Sequence, residues 1–250
     1  MIKDTLKNKK RYELIDSIRG FAIINMLIFH TLYDIFMIYG DGSFFTSPWC
    51  AVWERFICVS FIIISGVSFN FSHHTVRNGI IVSLCGFLVT IVTALAMPEQ
   101  AVWFGILNLL GISMLICSAL KNLINAVPPA LGATASFLVY AVTYGVQNGY
   151  IGFLNASIFE LPQALYSYKY LSFIGFRSSD FVSSDYFPII PWIFLYIFGI
   201  FLWKIIKNSN LEKYFYFKIP ILNTIGRYSL VIYLAHQPAI MLIMNVIFGY

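Results

Sequence analysis

Two histidines, an aspartate and two arginines stand out as residues able to do chemistry, because they lie in or beside long apolar runs. The first run belongs to Arg11–Gly40, RYELIDSIRGFAIINMLIFHTLYDIFMIYG, which is almost wholly apolar from Gly20 to Met37 yet carries His30 and Asp34. About 20 apolar residues in a helix cross a bilayer. An ionisable side chain inside such a span is expensive to bury and marks a functional site. Arg19 precedes His30 by eleven residues. That is about three helical turns, so the two share nearly one face with roughly 16 Å between them. Asp34 follows one turn beyond His30 on the same face. A cation at the membrane edge, an imidazole near the midplane and a carboxylate beyond it make a set for acid–base work or a proton relay.

The second intramembrane histidine lies in Gly226–Pro238, GRYSLVIYLAHQP. His236 is nine residues above Arg227, so its depth matches that of His30. On an ideal helix Arg227 and His236 face opposite ways, and Pro238 disturbs that phase. Hydrogen bonding to a neighbouring helix is the plainer role for such a histidine. His73 and His74 fall in a loop and read as solvated.

These groups must be positioned by membrane-spanning helices. Of 250 residues, 59% are hydrophobic, 18% aromatic and only 11% charged, whereas a soluble domain has about 25% charged residues. Strand-like alternation is absent, which argues against an outer-membrane barrel. The net charge of +5 sits in short loops beside spans and is no nucleic-acid footprint. Cys50, Cys58, Cys85 and Cys117 show no paired spacing, so neither a disulfide framework nor a metal site is expected.

The hydropathy pattern predicts an all-α membrane protein, a single domain over 1–250 built as one bundle of about seven helices. The expected spans are 19–40, 50–72, 78–97, 101–120, 127–147, 186–206 and 226–249. Met1–Arg11 is a basic head, read as preceding a retained first span and not as a cleaved signal. Of the 16 Lys and Arg residues, all but Arg55, Lys169 and Arg177 fall on the side of the N-terminus. By the positive-inside rule that side is cytoplasmic. The long segment 148–185 is then extracytoplasmic, and its many aromatics predict short helices folded back over an outer cavity. At the outer entrance of span two, Trp53, Glu54 and Arg55 read either as a belt residue with an ion pair or as an acidic mouth in which Glu54 faces Asp34. The prolines before Trp192 suit the first turn of a helix.

Four pieces in this order resemble the catalytic-domain family of heparan-alpha-glucosaminide N-acetyltransferase, within the wider transmembrane acyltransferase group. They are Leu14–Ala22 with His30 following, Phe104–Gly111, Tyr186–Trp192, and Ile225–Leu230 with Ile232–Pro238. Arg19, ten residues and His30 also resemble the signature of type 3 acyltransferases. The bacterial pattern often has a histidine where this chain has Asn108. The resemblance implies transfer of an acetyl or other acyl group from cytosolic acyl-CoA, with acetyl-CoA as donor substrate, to an amine or hydroxyl of a sugar-like acceptor outside. It implies that Arg19 and Arg227, with Lys121 and Ser229, hold the donor, since guanidinium groups bind phosphate with two coplanar hydrogen bonds. His30 is then the base or the acylated nucleophile, with Asp34 orienting it and His236 as a further catalytic group. Glu54, Asn108, Gln237 and Trp192 would face the acceptor, Asn108, Gln237 or Ser229 serving a developing oxyanion. The expected setting is the cell membrane as a multi-pass protein, with a homodimer left open and no nucleic-acid partner. A proton-coupled transporter or a non-catalytic scaffold is the alternative, although no inverted halves are visible.

Overall fold

The computed structural model describes residues 11–248 apart from Tyr39 and Asp41. The basic head Met1–Lys10 lies outside the described residues. Helix α1 covers Glu13–Tyr33 and passes into one wide π turn at Asp34–Ile38. Then follow α2 (Pro48–Phe69), α3 (Thr75–Ala96), α4 (Ile106–Ala119), α5 (Lys121–Ala126) and α6 (Pro129–Thr143). A hairpin of β1 (Tyr150–Phe153) and β2 (Ala156–Glu160) leads through short 3-10 turns to α7 (Ile189–Asn208). The chain closes with α8 (Pro220–Arg227) and α9 (Ser229–Phe248).

Among the described residues six stretches are long and apolar enough to cross a membrane: Glu13–Met37, Pro48–Phe69, Thr75–Ala96, Pro129–Asn148, Ile189–Asn208 and Ser229–Ile247. The predicted span 101–120 differs. Its helix is only the 14 residues of α4, about 21 Å long, because Ala101–Gly105 is irregular, bending at Trp103 and Phe104 with Phe104 at φ 57°. The segment 148–185 also differs, folding as an antiparallel hairpin before its short turns. Tyr150 pairs with Glu160 and Ile151 with Phe159, and an irregularity follows between Ile151 and Gly152.

Backbone contacts divide the chain into two compact units. One unit takes the chain up to Ile64 and again from Ile206. Its core is Ile23, Met26 and Phe29 of α1 with Ile57 of α2, and Phe45, Trp53, Ile225 and Tyr233 pack around them. The α1 positions recur every three residues, the apolar stripe of a packed helix. Helix α8 lies against the first turns of α1. A Cβ on Gly20 would overlap the Leu222 carbonyl, and one on Gly226 would overlap the Asp16 carbonyl. Only glycine permits this approach.

The second unit is Ser65–Ile205. There α3 and α4 run side by side on small residues, Ser83 against Gly111 and Asn108 against Gly86. Gly86 is the midpoint of α3, so α4 starts halfway up its neighbour. Irregular backbone at that height cannot look to lipid for hydrogen bonds. The segment Ser183–Phe187 supplies them: Trp103 N–H donates to Ser183 Oγ at 2.9 Å and Phe187 N–H to the Phe104 carbonyl at 2.8 Å. Asp185 accepts from the Ile106 N–H at 3.1 Å, placing a carboxylate at the positive end of α4.

Candidate functional site

In the first unit α1 and α9 bring their polar residues together. The half-buried His30 ring faces His236, with centroids 4.9 Å apart and planes inclined by 55°. His236 is 9% exposed. Its Nδ1 meets the carbonyl of Tyr233, one turn earlier in α9. A carbonyl only accepts, so Nδ1 carries the proton and Nε2 of the neutral ring keeps the lone pair. Phe29 packs edge-on against the His30 ring at 6.0 Å.

The next residue of α9 reaches the next turn of α1. Gln237 Nε2 donates to Asp34 Oδ2 at 2.9 Å. Asp34 is only 2% exposed. The amide oxygen of Gln237 is buried with no hydrogen-bond partner among the described residues. The backbone widens to a π turn at Asp34, a local change of register that often accompanies functional positions. Asp34 was expected to orient His30. Among the described residues no hydrogen bond joins them, and the carboxylate is engaged by Gln237 instead. Pro238 has no N–H, so the Leu234 carbonyl loses its helical donor just below this contact.

At the other end of α1 lies a cluster of charges. Asp16, 4% exposed, accepts from Arg11 Nε at 2.6 Å and from Arg19 Nη1 at 2.8 Å. Arg227 reaches the same carboxylate at 3.9 Å and pairs with Glu13 at 3.1 Å. Lys218 stands 3.9 Å from Glu13. Four cations thus surround two carboxylates, leaving a surplus of two positive charges from that arithmetic. Arg19 is the inner cation, at 22% side-chain exposure, while Arg11, Lys218 and Arg227 reach 57%, 49% and 40%. Beyond these ion pairs the exposed three keep donors open to an anion from solvent, with Arg19 as the anchor of the group. Beside them Tyr12 donates to Glu212 at 2.9 Å. Burial raises the Tyr12 phenol pKa, and the Glu212 hydrogen bond raises it further.

The remaining candidates are placed as follows. Glu54 is exposed on α2, and among the described residues it makes no hydrogen bond or ion pair with Asp34. Its neighbour Trp53 turns inward and donates to Asn25 Oδ1 at 3.1 Å. Ser229 is half-buried as the first residue of α9. Lys121, Asn108 and Trp192 belong to the second unit. Lys121 is exposed at the start of α5, and Asn108 is buried in the first turn of α4 with Oδ1 against Gly86. Trp192 is fully buried among Tyr140, Tyr144 and Phe187.

Reasoning from spacing missed Asp16, Glu13 and Asp185. The first two carried a usable signal, since acids in the first turn beside Arg19 predict i, i+3 pairing. Asp185 had none, because its partner lies 79 residues away in sequence.

A family model described as heparan-alpha-glucosaminide N-acetyltransferase, catalytic, matches residues 11–238. No curated protein matches, and no solved structure does.

Proposed function

The chain belongs to the heparan-alpha-glucosaminide N-acetyltransferase catalytic family, and on that premise we propose that it is a membrane acyltransferase whose reacting groups are His30 and His236. Its donor is acetyl-CoA or another acyl-CoA from the cytosol. Its acceptor is an amine or hydroxyl of a sugar-like molecule on the far side of the cell membrane. The observation that carries this reading is the contact of His30 with His236, whose Nε2 holds a lone pair.

The chemistry is compact. The acceptor N–H or O–H attacks the thioester carbonyl carbon as an imidazole takes its proton. The carbon–sulfur bond breaks, and the imidazolium returns the proton to the departing coenzyme A thiolate. Alternatively His30 attacks first and carries the acyl group for one step. Asp34, tied to Gln237, sets the local negative potential that stabilises a neighbouring imidazolium. The coenzyme A phosphates rest on Arg227 and Arg11, with Arg19 holding the cluster through Asp16. Ser229 adds a hydroxyl at the same end. The N-terminus and this cluster lie on the cytoplasmic side, as the Lys and Arg bias suggests.

The test is transfer of labelled acetyl from acetyl-CoA to glucosamine and related amino sugars by purified protein in nanodiscs. Saturable acetyl-CoA binding and transfer, lost in His30→Ala, are expected. Absence of any saturable coenzyme A binding overturns the reading at its first step.

A further inference from the structure

We propose that the segment Leu211–Tyr228 is an in-plane anchor that seats on the headgroups of anionic phospholipids. The orientation of α8 carries this. Asn223 and Gly226 face protein: Asn223, 1% exposed, donates from Nδ2 to the Glu13 carbonyl at 3.0 Å, and Gly226 abuts Asp16. The Ile219 N–H likewise donates to Ser17 Oγ at 3.3 Å. The outward side mixes Lys218, Thr224 and Arg227 with large apolar and aromatic side chains, Ile221 75% exposed, Phe217 65%, Tyr214 61% and Tyr228 61%. Exposed rings interspersed with cations are the make-up of a membrane-interface segment.

The height of the segment identifies the occupant. Helix α8 packs on residues 13–20 of α1, and these turns carry Glu13, Asp16 and Arg19. Charged residues of this helix stop at Arg19 and the uninterrupted apolar run begins at Gly20, which puts α8 at the level of the headgroups. Tyrosine and phenylalanine favour that zone, with the ring in the acyl boundary and polar atoms outside it. Lys213 is exposed within the segment and Lys207 in the last turn of α7 just before it, and Lys213 Nζ stands 5.2 Å from the centre of the Tyr214 ring. Exposed aromatic rings interspersed with lysines, beside a helix that docks Asn223 and Gly226 on α1, fit an acidic lipid surface.

The experiment compares hydrogen–deuterium exchange of residues 211–228 in nanodiscs of phosphatidylcholine alone and of an equimolar mixture with phosphatidylglycerol. Several-fold slower exchange with phosphatidylglycerol is expected. The difference should shrink several-fold in the double variant Lys207→Gln/Lys213→Gln. Phe217→Ser, which changes no charge, should speed exchange in both lipids. Equal exchange of the wild type in the two lipids overturns the proposal, as does a lipid effect that the lysine substitutions leave undiminished. Protection that instead rises with protein loading at fixed lipid composition assigns the face to a second copy and also overturns it. None of these readouts uses acyl transfer, so failure here leaves the acyltransferase reading standing.

Discussion

The side-chain amide of Gln237 donates to the carboxylate of Asp34 at 2.9 Å, fixing α9 to α1 one residue away from the histidine contact. A nearly inaccessible carboxylate thus depends on one neutral donor from another helix. Register between the two helices, and with it the approach of His236 to His30, rests on this bond. Gln237→Leu leaves the carboxylate without that donor and should destabilise the protein by about 1–3 kcal/mol. Thermal unfolding in nanodiscs measures the loss, and Asp34→Asn, which keeps a carbonyl to accept the bond, should lose less.

His30→Ala and His236→Ala should each lower acetyl transfer by about 10²–10⁴-fold, the range for loss of a general base or its partner. Because the rings work as a unit, the double variant should be little worse than the poorer single one. Single-turnover rates with acetyl-CoA decide this. Simple multiplication of the two losses would show that the histidines act independently.

The charge cluster separates a structural role from a binding one. Asp16→Ala strips the carboxylate from the inner Arg19 and should cost about 3 kcal/mol. Arg227→Gln removes a more exposed cation and should cost under about 1 kcal/mol. Its expected effect is a higher KM for acetyl-CoA at nearly unchanged melting temperature. Parallel melting and kinetic measurements on the two variants test this contrast.

Gly226→Ala places a methyl group against the Asp16 carbonyl. Overpacking of this kind costs about 1–3 kcal/mol. The neighbouring helix must shift, so both stability and coenzyme A affinity should fall together. A fully stable Gly226→Ala variant would mean that α8 does not press on α1 in this way.

Asp185→Ala removes the acceptor at the start of α4, and about 1 kcal/mol of stability should go with it. Asp185→Asn should restore most of the hydrogen bond without the charge. Exchange protection of Ile106 and Leu107 amides reports the change directly.

Much of this was legible from residues alone. Long apolar runs gave the helices within a few residues, because hydropathy and helical rise are local properties of the chain. The stripe of Arg19, His30 and Asp34 followed from helical spacing for the same reason. The irregular stretch before Ile106 was not legible. Its apolar residues read as helix, and hydrogen bonds to Ser183–Phe187 and Thr93 hold them open. The hairpin after Gly149 was equally hidden, since its aromatic residues suit either a strand or a short helix.

The sequence by itself therefore determined the membrane class, most of the helices and the family. Tertiary structure decided how the candidate site residues are partnered. It gave Asp34 to Gln237, turned His236 towards His30 despite a phase that Pro238 made unreadable, and gathered Arg11, Arg19 and Arg227 on Asp16. The physical reason is that periodicity fixes which face of a helix a side chain occupies. The rotation and height at which two helices meet depend on glycine contacts and hydrogen bonds between residues some two hundred positions apart.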